Sequence, residues 1–193
     1  MTIPPEPESN VRTLLARGDT AAAATVAIRS HGPRVLGYLR SLLKSDDDAK
    51  DAFSHFAEAL WMNLPCFRGE ASLRTWVFRL AWSAAQDLQR EPWRRRGRRF
   101  ATGEASAIAD EVWTRSYVRH ERDRRKLERL REALSLEERS LLELRIHQEL
   151  SWVEIAGVLS SGGEPVQAAA LAKRFERVKE RLTRLARDEG LIE

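Results

Sequence analysis

Between residues 67 and 99 arginines and ring side chains are interleaved. The run Phe67, Arg68, Gly69, Glu70, Ala71, Ser72, Leu73, Arg74, Thr75, Trp76, Val77, Phe78, Arg79, Leu80, Ala81, Trp82 is followed by Trp93, Arg94, Arg95, Arg96, Gly97, Arg98 and Arg99. Over residues 68–99 nine arginines stand against Glu70, Asp87 and Glu91, a local net charge of +6. Arginine neutralises phosphates, and aromatic rings stack on unpaired bases. The combination suits a surface that handles opened, single-stranded nucleic acid. A second cationic set occupies residues 173–187, with seven Lys or Arg against Glu176 and Glu180. On a helical wheel Lys173, Arg174, Arg177, Arg181 and Arg184 share one face, roughly 110° from the apolar row Leu171, Phe175, Val178, Leu182 and Leu185.

Catalysis has little support. There is no Gly-rich phosphate loop, and no Ser-His-Asp set or carboxylate pair with a mechanistic spacing. His31, His55, His120 and His147 lack metal-ligand spacing and read as solvated surface. Cys66 is the single cysteine of 193 residues, so no intramolecular disulfide or Cys-based zinc site can form. It reads as a small buried or half-buried apolar residue, and the expected cofactor and metal content is none.

The elements that must position these residues are helical. Apolar residues recur at three and four rather than at two, which predicts an all-α fold. Residues 14–28 are Ala-rich and helical in propensity, with Gly18-Asp19 as a break, and His31-Gly32-Pro33 is read as the end of that helix. Val35, Leu36, Leu39, Leu42 and Leu43 stripe a second helix. Asp46-Asp47-Asp48 is read as the N-cap and favourable charge of a third, which carries Phe53, Phe56, Ala57, Leu60, Trp61 and Leu64 and ends at Pro65. Ser72 caps a fourth, with Leu73, Trp76, Val77, Leu80, Ala84 and Leu88 inward. Pro92 is expected to stop or kink it. Phe53, Phe56, Trp61 and Trp76 read as core, whereas Trp82 lies off the 73–80 stripe and is a candidate for exposure. The cluster at 94–99 reads as a solvated tail or, from its place at the end of an aromatic helix, as a DNA contact.

Residues 1–10 are polar and Pro-rich, expected as a disordered leader rather than a signal peptide. Residues 97–120 lose the periodicity and turn small and acidic, and are read as a flexible linker. Helix returns by about Glu121. Ser135 with Glu138 and Ser151 with Glu154 then make two capping boxes. The second opens a short helix through Val153, Ile155, Ala156, Val158 and Leu159. After 160–163 Pro165 suits the first turn of the basic helix, so either that helix starts early at Pro165 or a loop bulges there. A short helix, a turn and a longer basic helix form the helix-turn-helix layout, whose second helix enters the major groove.

These residues resemble the bacterial RNA polymerase sigma factors, in the compact extracytoplasmic-function group of the sigma-70 family. Asp48-Ala49 with Asp51, then Trp61, Phe67-Arg68-Gly69 and Arg74-Thr75-Trp76 follow the order of the family's region 2. The 150–156 run Leu-Ser-Trp-Val-Glu-Ile-Ala and the later Leu171, Arg174, Arg177 and Leu182 resemble region 4. The resemblance implies a region 2 bundle over 11–96 and a region 4 helix-turn-helix over 121–190, joined by the 97–120 linker. It implies that Asp47, Asp48, Asp51, Ser54, His55 and Glu58 bind core RNA polymerase. Near promoter position −10, Arg68, Arg74, Arg79, Trp82, Ser83, Arg94, Arg95 and Arg96 are the expected DNA contacts. Near −35 they are Lys173, Arg174, Arg177 and Arg181. Members of the group are often held inactive by an anti-sigma partner, so the implied partners are core polymerase, promoter DNA and an anti-sigma factor, for a cytoplasmic, non-enzymatic monomer that does not enter a membrane. The chain departs from the family pattern at Lys50, Ser54 and His55, where Glu and Gln-Glu are usual, at Trp82-Ser83, where Arg-Asn is usual, and in a longer turn over 160–169. Two alternatives use the same residues: a stand-alone helix-turn-helix regulator, and a degenerate sigma-like antagonist that occupies polymerase.

Overall fold

A computed structural model describes residues 7–43, 45–90, 103–116, 132–160 and 165–188, and every regular element among them is helical. The chain divides into two compact units, Met1–Val118 and Arg119–Glu193.

In the first unit, α1 (Pro7–Ala16) starts earlier than composition suggests. Residues 7–10 belong to a helix and not to a leader, because Pro at the first position and Glu8 in the first turn both favour a helix start. The helix closes at Gly18, whose φ of +78° only glycine adopts without strain. The Gly18 amide donates to Leu15 O and the Asp19 amide to Leu14 O, both at 3.0 Å. Asp19 then caps the next helix by accepting from the Ala22 amide.

α2 (Thr20–Leu42) runs straight through Gly32-Pro33, which corrects the expected stop there. An interior proline costs about 3 kcal/mol. Burial of Ile28, Val35, Leu36, Tyr38, Leu39 and Leu42 on one helix offsets that cost. Pro33 itself is exposed, and Gly32 is buried where a Cβ would lie 3.2–3.3 Å from Val112 and Phe53. The glycine marks a close approach rather than a helix end.

α3 (Asp46–Asn63) is capped by Ser45, whose hydroxyl accepts from the Asp48 amide at 3.0 Å. The aspartates therefore fill the first turn instead of the cap, where they still favour the dipole. A short 3-10 turn (Leu64–Cys66) follows, burying Leu64 and turning Cys66 outward. Cys66 is thus exposed, contrary to the buried reading. α4 (Leu73–Arg90) buries more than its expected stripe: Phe78, Ala81, Trp82 and Ala85 are inward as well, while Trp76 and Leu80 are half-buried. The reason is that α4 packs on both α2 and α3. Tyr38 meets Phe78 edge-to-face at 5.3 Å.

The largest correction concerns the linker. Residues 103–116 form α5 (Gly103–Ser116), packed on α2 and α3. Ala105, Ile108, Ala109 and Val112 are buried at the i, i+3, i+4, i+7 spacing of one helix face. Arg29 bridges Glu111 at 3.1 Å, Lys50 reaches Asp110 at 3.9 Å, and the Arg40 guanidinium lies 4.5 Å from the centre of the Trp113 ring.

In the second unit, α6 (Leu136–Ile146) and α7 (Trp152–Leu159) both open on complete capping boxes, Ser135 with Glu138 and Ser151 with Glu154. α8 (Ala168–Asp188) packs on both. It starts three residues after Pro165, which corrects the expected early start. Val166 donates its amide to Ser160 Oγ, and that bond holds the chain out of helix. Pro92 and the helix expected to return at Glu121 lie outside the described residues.

Candidate nucleic-acid and partner interface

α3 gathers the expected polymerase contacts. Asp47, Asp51, Ser54 and Glu58 fall on one helix face, with His55 and Asp48 at its edges. Asp47 is exposed, and the other five are half-buried. The face that carries Lys50 and Phe53 is turned towards α5 instead.

The 67–72 loop joins α3 to α4 and presents Arg68, Gly69, Glu70 and Ala71 to solvent. Phe67 leans on Trp76 with ring centres 5.2 Å apart, and Gly69 turns the chain with φ +74°. Ser72 Oγ accepts from the Thr75 amide at 3.1 Å and shares a hydrogen bond with the Thr75 hydroxyl. Along α4, Arg79 is exposed, whereas Arg74 and Ser83 are half-buried. Trp82 is only 1% exposed. Its expected contact with a base is corrected by that burial: positions 78, 81, 82 and 85 form the inward row. The indole N–H of Trp82 has no hydrogen-bond partner among the described residues. Arg94, Arg95 and Arg96 lie outside the described residues.

In the second unit, Leu171, Phe175 and Val178 turn inward and leave Lys173, Arg177 and Arg184 exposed. Trp152 meets Phe175 edge-to-face at 5.4 Å, and Arg145 covers the Trp152 ring at 4.7 Å while donating to Leu150 O. Arg174 and Arg181 do something else. They pair with Glu137 and Glu138 of α6, each at 2.7 Å. Burial would raise the Glu138 carboxyl, but the Ser135 amide and Arg181 overcome it and hold the carboxyl below its ordinary 4.5. The four expected −35 residues thus divide into two exposed cations, Lys173 and Arg177, and two that tie α8 to α6. Arg174, Arg177, Val178, Arg181 and Glu138 line one open groove.

Sequence reasoning did not find three features of the first unit. His31 is half-buried rather than solvated; burial, then Arg34 and Arg74, hold its pKa below the ordinary 6.5, against the opposing pull of Glu8. Trp113 and the other docking residues of α5 were hidden by the acidic character of 104–111, although their spacing carried the signal. Glu8 and Arg12, an i, i+4 pair at 2.8 Å, sat in the stretch read as leader.

None of the curated proteins compared with the chain matches it in sequence. Residues 27–99, from the middle of α2 through α3, the 67–72 loop and α4, match the family model Sigma-70 region 2.

Proposed function

We propose that the chain is a sigma factor of the extracytoplasmic-function group: it binds core RNA polymerase and directs promoter recognition and opening. The observation that carries this reading is the region 2 match over 27–99, which spans the acidic face of α3, the 67–72 loop and the cationic α4. On this reading the α3 face with Asp47, Asp48, Asp51, Ser54, His55 and Glu58 docks on the polymerase. Arg68, Arg74, Arg79 and Ser83 meet the opened −10 strand, joined by Arg94, Arg95 and Arg96. The α7–α8 pair acts as a helix-turn-helix, with Lys173 and Arg177 as its leading −35 contacts.

Opening needs no bound nucleotide. Negative supercoiling and capture of unstacked bases can offset unstacking, which costs a few kcal/mol per base. Phosphate contacts set register, and a few side chains read sequence. The protein is then a cytoplasmic, non-enzymatic subunit, monomeric when free and open to control by an anti-sigma protein. Among the described residues no helix is long and apolar enough to cross a membrane.

A second reading, a sigma-like antagonist that occupies polymerase without starting transcription, draws on the buried Trp82 and on the ion pairing of Arg174 and Arg181. Run-off transcription with purified bacterial core enzyme on a genomic library separates the two. Discrete start sites that appear only when the chain is added are expected for a sigma factor. Co-elution with core without transcripts would leave the antagonist, and no association with core would remove both.

A further inference from the structure

Glu8 lies 65 positions before α4, yet its Oε2 accepts the Leu73 amide at 3.2 Å. Leu73 is the first residue of α4, and its N–H has no partner within its own helix. A carboxylate there also faces the positive end of the helix dipole. The local cap serves a different amide, since Ser72 takes Thr75. The other Glu8 oxygen, Oε1, accepts from Arg12 Nη2 at 2.8 Å. That same Arg12 nitrogen lies 3.4 Å from where a Cβ on Gly69 would stand. The segment is therefore tied at two points, Phe67 on Trp76 and the Leu73 amide on Glu8, with Arg12 holding the Glu8 carboxylate from the side that faces Gly69. Between them Arg68, Glu70 and Ala71 stay exposed.

We propose that α1 is a brace for the strand-receiving loop: Glu8 and Arg12 are positioning residues that fix the course of 67–72 and the first turn of α4, and so set which bases the loop accepts. This rests on the promoter-opening reading above. α1 lies outside the residues matched by the region 2 model, within the same compact unit. The Glu8–Arg12 pair is largely solvent-facing, with Arg12 56% exposed, and pairs of this kind add little to global stability. The effect of the brace is local, on an irregular segment whose course depends on few contacts.

The test uses the full-length chain, alone and with bacterial core polymerase, as wild type, Glu8→Ala, Glu8→Gln and Arg12→Ala. Hydrogen exchange is followed by mass spectrometry, and a randomised single-stranded DNA pool bound by the polymerase complex is sequenced for base preference. Glu8→Ala and Arg12→Ala are expected to speed exchange of the 67–74 amides about fivefold, a factor typical of a lost cap. Exchange in α2 and α3 stays as it was, and the base preference broadens. Glu8→Gln keeps an acceptor oxygen and restores most of the protection. Unchanged exchange at 67–74, faster exchange spread evenly over α2, α3 and α4, or an unaltered base preference despite local loosening would each overturn the proposal. A wild-type complex that retains no single strand would remove the promoter-opening reading and the role given to the brace with it. The exchange data report on the brace contacts independently of that outcome.

Discussion

The two cationic surfaces of this protein are built by opposite means. On the first unit, Arg68 and Arg79 project from a loop and helix backed by an aromatic core of Tyr38, Phe53, Phe56, Phe78 and Trp82. The packing behind these two is apolar, and both arginines stay exposed. On the second unit the apolar row of α8 is narrower, and Arg174 and Arg181 help to dock it by gripping the acidic first turn of α6. Glu138 serves twice, closing the Ser135 capping box and receiving Arg181. Arginine count alone is a poor guide to a nucleic-acid footprint, because some of the charge holds the fold.

The sharpest test of that contrast is Trp82→Ala. Emptying a fully enclosed aromatic site should cost about 3–5 kcal/mol, read as a loss of urea stability in the first unit. A substitution that weakened DNA binding and left stability intact would return Trp82 to the surface set. Next in size is Val112→Asp. A charge placed at a side chain 5% exposed should undock α5 at a cost of about 2–3 kcal/mol. Exchange of the 103–116 amides should rise towards that of free chain, and unchanged protection there would break the account of α5. Third, Arg181→Ala should cost the second unit about 1–2 kcal/mol, because its partner Glu138 is 14% exposed on its side chain and loses a charged hydrogen bond. Arg177→Ala should leave stability within about 0.5 kcal/mol and lower the salt slope of DNA binding by about one. If the two variants behaved alike, the division of α8 into docking and DNA-facing arginines would fail.

Acid should separate the units too. His31 has a folded pKa below its ordinary 6.5, so the unfolded chain takes up its proton first as pH falls. The first unit therefore loses stability below about pH 6.5, and His31→Gln should flatten that slope. Glu138 is also lowered, from 4.5, so its contribution to the second unit is present above that value and fades only as pH drops below it. Trp152 is the one tryptophan of the second unit, and its fluorescence against that of the other five can follow the two urea midpoints between pH 7.5 and 4. This is the smallest effect of the set. An Arg181→Ala chain with an unchanged acid limb in the second unit would remove Glu138 as its source.

Much of the fold was legible because helix signals are local. Both capping boxes, the Gly18-Asp19 break and the first half of the inward row of α8, Leu171, Phe175 and Val178, follow from side-chain chemistry within four residues, whereas Leu182 and Leu185 are only half-buried. What could not be read was decided across the chain. Gly32-Pro33 looks like a terminator until Val112 and Phe53 are brought against the glycine. Residues 103–116 read as an acidic strap because Asp110 and Glu111 dominate the composition, although the four buried positions keep a helical period. Trp82 looked available because it lies off the 73–80 stripe, but α4 packs on two helices and buries a wider face. Among the candidate site residues, face and spacing were predictable from the wheel. Which arginines are ion-paired was not, since Glu137 and Glu138 lie more than thirty positions away.

The solvent-facing sulfur at the tip of the α3 turn has a practical side. Because Cys66 is the sole thiol and adjoins Phe67, a dye attached there would report on the 67–72 loop without any prior mutagenesis. The same sulfur would crosslink two copies under air, so sedimentation or size measurements of the isolated chain require reductant before a dimer can be credited to anything but oxidation.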